Sequence, residues 1–329
     1  MSKPKVFVTQ NIPQAGLDLL MKECEVFVNT EDRVLSKGEI IERLKGMDGM
    51  VCLLTDAIDG EIMDAEPNLK VISNYAVGFN NIDVEAATER GIPVTNTPGV
   101  LTETTADFAW ALLMAIARRV VEADKFTREG KFKGWRPQLL LGSDVYGKTI
   151  GIVGMGRIGQ AMARRARGFD MNILYYDEYR PDPEVEKELG LTYVPFDELL
   201  QKADYVSIHV PLMESTHHLI GERELKLMKK TAYLINSARG PIVDEKALVK
   251  ALQEKEIAGA GLDVFEDEPE LAPGLAELDN VVLAPHIASA TIETRSKMAT
   301  MAAEGCLSVL KGERPVNLVN EEVWDKRRK

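Results

Sequence analysis

Short β-type runs alternate with helical patterns in two stretches of the chain, residues 5–98 and residues 149–286. The runs of the first stretch are Val6–Thr9, Glu25–Asn29, Met50–Leu54, Val71–Ser73 and Val94–Asn96. Those of the second are Thr149–Val153, Asn172–Tyr176, Tyr205–Val210, Ala232–Asn236, Gly259–Asp263 and Val281–Ala284. This alternation predicts βαβ units and a parallel sheet in each stretch. An unbroken apolar run such as Ile150–Val153 is typical of a strand buried on both faces.

Several helical patterns carry caps that can be read from the sequence. Ser36 and Glu39 form a capping-box sequence, while Asp83 and Gly91 stand where an N-cap and a C-terminal glycine would bracket another helix. A long amphipathic pattern from Thr102 to Arg128 predicts a single helix between the two stretches. Its apolar face is expected to contain Ala106, Ala109, Leu113, Ala117, Val120 and Val121.

The composition disfavours several classes of protein. Of the 329 residues, 45% are hydrophobic and 28% are charged, which is typical of a globular chain with two domains. A formal net charge of -12 disfavours binding to nucleic acid. Neither a signal core nor an apolar run of about 18 residues is present, so no membrane association is expected. Since Cys24, Cys52 and Cys306 form no CxxC pair, a cytoplasmic location is expected.

A glycine-rich segment follows the strand-like run that ends at Val153. Gly154, Gly156 and Gly159 match the pattern G-x-G-x-x-G, and Asp177 ends the next strand-like run. In this context the glycines allow a tight turn and close approach of a pyrophosphate, and the acidic side chain accepts hydrogen bonds from a ribose. The alternative is that the glycines only shape a turn and that Asp177 is an ordinary loop residue.

Three ionisable side chains lie near the carboxyl ends of predicted parallel strands, where ligands bind in open α/β sheets. Arg239 could hold a carboxylate through its planar fork, His286 could transfer a proton, and Glu268 could orient the imidazole. Each has another interpretation, since Arg239 could form a structural ion pair and Glu268 lies in the acidic run Glu266–Glu268.

The other histidines have simpler interpretations. His209 lies within an apolar run and is expected to be a hydrogen-bonded core histidine. His217 and His218 are adjacent, so their side chains are expected to point apart in a surface loop, without the spacing of metal ligands. The sequence therefore predicts no metal site.

Several segments in the same order resemble the D-isomer-specific 2-hydroxyacid dehydrogenases along nearly the whole chain. These segments are Asn74–Asp83, Gly91–Gly99, Gly154–Gly159, Leu225–Gly240, Gly259–Pro269 and Pro285–Ser289. Within the family, Gly134–Pro137 and Asp144–Thr149 are similar to the glyoxylate/hydroxypyruvate reductases. The resemblance implies that Arg239, Glu268 and His286 are the catalytic residues.

The resemblance also implies a fold, a domain division and further site residues. It implies two doubly wound parallel-sheet domains: a flavodoxin-like substrate domain, residues 1–98 and 289–329, and an inserted Rossmann-type NAD-binding domain, residues 99–288. The residues expected at the cofactor, besides the glycines and Asp177, are Thr105, Arg157, Ile158, Val210, Pro211, Ser237, Ala238, Arg239, Asp263, His286 and Ala288. Those expected at the substrate are Val77, Gly78, Trp135, Arg239, His286 and Ser289.

The activity implied by the resemblance is reduction of glyoxylate to glycolate, and of hydroxypyruvate to D-glycerate, with His286 as proton donor. Asp177 favours NADH over NADPH, whereas Arg180 nearby could favour NADPH. A homodimer is implied, with Trp135 reaching the partner's site. The alternatives are another D-2-hydroxyacid dehydrogenase, of the phosphoglycerate or D-lactate type, and a non-catalytic NAD-sensing scaffold or corepressor.

Overall fold

The computed structural model describes residues 3–328, and the chain divides into two compact units. One unit comprises Thr102–Ser289, and the other comprises the chain up to Leu101 together with the chain from Ala290 onward. The strands, in chain order, are β1 Lys5–Val8, β2 Glu25–Val28, β3 Gly49–Cys52, β4 Val71–Asn74, β5 Val94–Thr95, β6 Thr149–Val153, β7 Asn172–Tyr176, β8 Leu191–Tyr193, β9 Tyr205–Ile208, β10 Tyr233–Asn236, β11 Gly259–Leu262 and β12 Val281–Leu283.

The α-helices of the two units alternate with these strands. In chain order they are α1 Gln14–Glu23, α2 Lys37–Leu44, α3 Gly60–Asp64, α4 Val84–Glu89, α5 Thr102–Ala117, α6 Val120–Arg128, α7 Arg157–Arg167, α8 Pro183–Leu189, α9 Phe196–Lys202, α10 Glu222–Leu227, α11 Glu245–Gln253 and α12 Ile292–Leu310. Short 3-10 turns occur at Glu214–Thr216, Gly240–Ile242 and Glu321–Lys326. None of the helices in this described part of the chain is long and apolar enough to cross a membrane.

The discontinuous unit contains a five-stranded parallel sheet in the order β2-β1-β3-β4-β5, which is the flavodoxin-like order. All four strand pairs are parallel, with Val6 opposite both Val26 and Gly49. Apolar side chains of β1 and β3 are fully buried, as expected for a parallel sheet covered by helices on both faces. Helices α1 and α12 pack on one face, where Val6, Leu20, Ala299 and Ala303 share a core.

The continuous unit contains a seven-stranded parallel sheet in the order β12-β11-β10-β9-β6-β7-β8. The order reverses between β6 and β9, so the loops after these two strands flank a crevice at the carboxyl edge of the sheet. This arrangement is the doubly wound Rossmann type. The predicted fold class, two doubly wound parallel-sheet domains, is confirmed by both sheets.

The predicted caps of two helices are confirmed. The Ser36 side chain accepts a hydrogen bond from the main-chain N–H of Glu39, whose carboxylate accepts one from Ser36 in return. The Asp83 side chain caps α4 at Ala86, and Gly91 ends that helix region with a φ of 68°. These caps could be predicted from the sequence because each depends on contacts between residues no more than four positions apart.

The prediction of a single helix from Thr102 to Arg128 is wrong, since the structure contains two helices there, α5 and α6. Arg119 between them has a φ of 54°, a left-handed conformation that interrupts the helical hydrogen bonds. As a result Val120 and Val121 do not continue the buried face of α5 but are 53% and 54% exposed. The sequence analysis also missed β8, a three-residue strand at the edge of its sheet.

Candidate functional site

The glycine-rich segment forms a tight turn between β6 and α7. Gly154 has a φ of 97°, and a Cβ atom on Gly159 would lie 2.1 Å from the carbonyl oxygen of Gly154. Helix α7 can therefore begin against the strand only because position 159 has no side chain. A Cβ atom on Gly156, in contrast, would meet nothing within 4 Å. The predicted strand, turn and helix are present, with the open side of the turn at the start of α7.

Asp177 lies against this turn directly after β7. Its carboxylate accepts hydrogen bonds from the main-chain N–H groups of Met155, at 2.6 Å, and Tyr179, at 3.0 Å. Arg180 is held elsewhere: its guanidinium makes hydrogen bonds of 2.8–3.0 Å to Glu186 and lies 5.1 Å from the centre of the Tyr193 ring. The acidic side chain is thus adjacent to the glycine-rich turn, while the arginine is engaged by its own ion pair.

Several other residues are predicted to contact a dinucleotide. They lie at the carboxyl ends of the strands or on the helices beside them. They are Thr105 on α5, Arg157 and Ile158 on α7, Val210 and Pro211 after β9, Ser237 and Ala238 after β10, and Ala288 after β12. The buried Ser237 hydroxyl has no hydrogen-bond partner within the described residues. An unpaired buried hydroxyl, the open side of Gly156 and the free N-terminus of α7 together fit a bound dinucleotide.

A short turn after β10 presents Arg239. The Asn236 side chain accepts a hydrogen bond from the Ala238 N–H and donates one to the Arg239 carbonyl, so it closes the turn from both sides. Burial lowers the pKa of the Arg239 guanidinium, an effect opposed by the negative charge of Glu268. A cation that is partly removed from water in this way binds an anionic ligand more strongly than one on the open surface.

Gly240 allows this turn to approach the segment that carries Glu268. A Cβ atom on Gly240 would lie 1.8 Å from the carbonyl oxygen of Phe265, so any other residue there would force the two segments apart. Phe265 in turn donates its main-chain N–H to the Glu268 carboxylate at 3.0 Å. The closeness of the Arg239 and Glu268 charges therefore depends on main chain packed against main chain.

Glu268 and His286 form the hydrogen-bonded pair that the sequence predicts. The carboxylate Oε2 of Glu268 lies 2.9 Å from Nδ1 of His286, which leaves the Nε2 atom free of this bond. Burial opposes ionisation of Glu268, but the hydrogen bond and charge of His286, with help from Arg239, outweigh it and hold the pKa of this carboxyl below its usual range. The ionised carboxylate can orient the imidazole and stabilise its protonated form.

His286 itself adopts a strained backbone conformation, with a φ of 54°. The buried carboxylate of Asp263 holds this conformation, since it accepts the main-chain N–H groups of Ile287 at 2.8 Å and Ala288 at 2.7 Å. The His286 N–H also donates to the Asp263 carbonyl at 2.9 Å. Burial raises the pKa of Asp263, and the two N–H donors oppose that rise.

Sequence reasoning missed a second buried carboxylate, that of Glu245 at the start of α11. Its two oxygens accept the main-chain N–H groups of Glu266, at 2.7 Å, and Ala272, at 2.8 Å. It thereby fixes both ends of the loop that contains Glu268. The only sequence signal was a charged residue beside the apolar residues Ile242, Val243 and Leu248, which is too common to single out.

The remaining predicted substrate residues lie in different parts of the fold. Val77 and Gly78 follow β4 in the discontinuous unit, and their carbonyls accept the side-chain amides of Asn96 and Asn74. Within residues 3–328, no hydrogen bond from the main-chain N–H of Val77 or Gly78 is present. Trp135 lies in the loop after α6 with 83% of its surface exposed, and Ser289 ends the continuous unit.

The other histidines differ in outcome. His209 is a hydrogen-bonded core histidine, as predicted: its Nε2 lies 2.8 Å from the Ser207 hydroxyl, and burial lowers its pKa to about 3. The expectation that His217 and His218 point apart is wrong. His218 has a φ of 51°, and this left-handed turn brings the two rings to a stacked contact with centres 4.1 Å apart.

Comparison with known proteins gives a consistent result. Residues 110–288 match the family described as "D-isomer specific 2-hydroxyacid dehydrogenase, NAD binding domain". The glyoxylate reductases of Korarchaeum cryptofilum and Thermococcus gammatolerans are 60% and 55% identical to this chain, each over 98% of this chain and 97% of the relative.

Among solved structures, an NADPH-dependent glyoxylate/hydroxypyruvate reductase from Sinorhizobium meliloti, in complex with NADP and malonate, is similar with a TM-score of 0.87. Its identity to this chain is 33%, over 98% of both chains. Because the matched domain covers more than half of the sequence and the relatives align along nearly all of it, this chain belongs to the D-isomer-specific 2-hydroxyacid dehydrogenase family.

Proposed function

We propose that this protein uses NADH to reduce glyoxylate to glycolate, and hydroxypyruvate to D-glycerate. The observation that carries the proposal is the Glu268–His286 pair, with the charge of Arg239 acting on Glu268, in the unit that carries the glycine-rich turn. The names of the relatives support the choice of a small 2-keto acid as substrate. The family's NAD-binding domain is present, and it supplies the place for the cofactor.

Arg239 binds and polarises the substrate in this proposal. Its planar guanidinium can donate two parallel hydrogen bonds to the substrate carboxylate, or share its donors between the carboxylate and the keto oxygen. The substrate-binding roles predicted for the main-chain N–H groups of Val77 and Gly78, which lie in the other unit, stay a prediction. When bound, the reduced nicotinamide supplies the hydride that the carbonyl carbon accepts.

His286 supplies the proton. As the carbonyl carbon gains a hydride, negative charge develops on its oxygen, and the imidazolium Nε2–H of His286 protonates that oxygen to give the hydroxyl group. Glu268 holds Nδ1 and stabilises the positive charge before transfer, and Asp263 keeps His286 at the carboxyl edge of the sheet. One hydride and one proton convert the keto acid into the 2-hydroxy acid.

We also assign a role to each unit and a setting to the protein. Thr102–Ser289 is the cofactor domain, close to the predicted residues 99–288, and the remainder is the substrate domain. We propose a cytoplasmic location, supported by the three buried free cysteines, which suit a reducing compartment.

Purified protein is expected to oxidise NADH, followed at 340 nm, when glyoxylate or hydroxypyruvate is added in the presence of EDTA. Arg239→Lys keeps the charge but loses the planar fork, so its kcat/KM should fall by about 10²–10³-fold, the usual cost of a lost transition-state donor. Lys246→Arg, a change on the exposed face of α11, serves as the control. A wild-type enzyme that prefers pyruvate or 3-phosphohydroxypyruvate would contradict the substrate assignment, and near-normal turnover in Arg239→Lys would contradict the role of Arg239.

The Glu268–His286 pair predicts a specific pH dependence for keto-acid reduction. Because the pKa of Glu268 is lowered, the carboxylate persists on the acid side, and its support of the imidazolium is lost only as the pH falls through that lowered pKa. Reduction also needs a proton donor, so it fades on the alkaline side. Glu268→Gln removes the stabilising charge, so this alkaline fade should move to lower pH in a plot of kcat/KM against pH.

Asp267→Asn, which removes a neighbouring exposed charge, should leave the pH profile in place. If the Glu268→Gln profile coincides with that of the wild type, Glu268 has no part in proton transfer. This readout separates an electrostatic role from a structural one, because a general loss of folding would lower the whole curve without shifting it.

The enzyme is expected to prefer NADH over NADPH by about tenfold to a hundredfold in kcat/KM. Asp177 would repel a 2′-phosphate across a partly screened distance, and Arg180 is engaged by Glu186. Asp177→Ser should reduce the preference while retaining an oxygen that can accept the Met155 N–H. Glu178→Ser, which removes the next acidic side chain, is the matched control. Wild-type preference for NADPH, or a preference unchanged in Asp177→Ser, would show that another residue discriminates.

We propose a homodimer in which Trp135 reaches the neighbouring subunit's substrate site. The loop around Trp135 exposes other large apolar side chains, including Phe132 at 54% and Leu141 at 64% exposure. Such a surface supports the proposal that this loop contacts a partner subunit. Light scattering should therefore give twice the chain mass. Trp135→Ala should raise the KM for the keto acid by about tenfold, a typical effect of one interface hot spot, with little change in NADH binding. Ile292→Ala, at another exposed apolar position, is the control, and a monomer at assay concentration would exclude the contribution.

A further inference from the structure

A cluster of three potential metal ligands lies on the continuous unit and has no part in the proposed reaction. His217, His218 and Glu266 each offer one ligand atom, and these atoms all lie within 4.8 Å of one another. The left-handed conformation of His218 creates the cluster, because it turns two adjacent imidazoles toward the same side. We propose that these three side chains form a binding site for a divalent transition metal ion, with Zn²⁺ as the ion that fits best.

The ligand set selects this class of ion. Imidazole nitrogen suits zinc, copper and nickel, whereas magnesium and calcium prefer sites built entirely from oxygen. Two histidines and one glutamate form a known zinc ligand set that leaves a fourth position for water. Zn–N and Zn–O bonds of about 2.0–2.1 Å in a tetrahedron place ligand atoms about 3.3–3.4 Å apart. The ligand atoms lie up to 4.8 Å apart, and the exposed His217 ring has room to rotate toward the other two ligands when a metal ion binds.

Two of the three ligands are positioned before any metal binds. The Glu266 carboxylate Oε2 accepts the Glu245 N–H at 3.1 Å, which leaves Oε1 for a metal ion. Oε1 lies 2.7 Å from Nε2 of His218, a contact between two ligand atoms that a bound metal ion would replace. The His218 main-chain N–H donates to the Pro241 carbonyl at 2.8 Å. Outer hydrogen bonds that hold a ligating side chain raise metal affinity because less order is lost on binding. The side chains remain accessible, at 37% exposure for His218 and 24% for Glu266.

The test is a calorimetric titration of the full-length protein, without a histidine tag, with Zn²⁺. We expect one Zn²⁺ per chain. His217→Ala and Glu266→Gln should each lower the affinity at least about tenfold, since even loss of an outer-shell partner costs 10–100-fold. His218→Asn should do the same while preserving the fold, because asparagine tolerates the left-handed conformation. Co²⁺ used in place of Zn²⁺ should give the visible absorption of a low-coordinate nitrogen and oxygen site.

Two control variants distinguish this site from other sources of binding. Asp267→Asn removes one negative charge from the same loop, and His286→Ala removes the other histidine that pairs with a glutamate; both should still bind one zinc ion. Thermal unfolding without metal checks that each variant is folded, and His217→Ala alters only an exposed ring.

Absence of saturable zinc binding would overturn the proposal, and so would unchanged affinity in His217→Ala. Equal losses in Glu266→Gln and Asp267→Asn would reduce the cluster to a nonspecific acidic surface. The readout is binding rather than catalysis, and the reductase is expected to act in EDTA. Failure of either the metal site or the proposed function can therefore be recognised independently of the other.

Discussion

The buried carboxylate of Asp263 is the interaction on which the proposed proton transfer depends. Burying a carboxylate is costly, and here two main-chain N–H donors from Ile287 and Ala288 offset the cost. In exchange, the loop after β12 is fixed and His286 is held in a left-handed conformation that an unrestrained loop would leave. Without that restraint, nothing in the loop would hold Nδ1 of His286 at its distance of 2.9 Å from the Glu268 carboxylate.

The same principle extends around the carboxyl edge of the sheet. Each chemically important side chain sits on a loop, and each loop is fixed by a buried side-chain acceptor: Asn236 for Arg239, Glu245 for the Glu268 segment and Asp263 for His286. Gly240 then lets two of these loops touch through their main chains. The arrangement is rigid because the restraints are bonds to main-chain N–H groups, which cannot change rotamer.

Features that depend on neighbouring residues could be predicted from the sequence, and those that depend on distant ones could not. The strands β6 and β7, the cap at Ser36 and the glycine-rich turn follow from local apolar runs, cap chemistry and glycine spacing. Positive φ values at Arg119 and His218 broke the predicted helix and stacked two histidines predicted to diverge. Neither arginine nor histidine predicts a left-handed conformation from its sequence position, because tertiary contacts impose it. The role of Glu245 was invisible for the same reason: its partners lie 21 and 27 positions away.

The contact between Asp177 and the Met155 N–H constrains how cofactor preference can evolve in this lineage. Asp177 stabilises the glycine-rich turn in addition to any role in binding a ribose. Its carboxylate accepts a hydrogen bond from the main-chain N–H of Met155, a residue that is only 3% exposed. A mutation to an apolar side chain would leave that donor unsatisfied and weaken the turn itself. Evolutionary paths away from an acidic residue should therefore pass through serine, threonine or asparagine. A substitution at this position is therefore limited by the stability of the turn as well as by the cofactor.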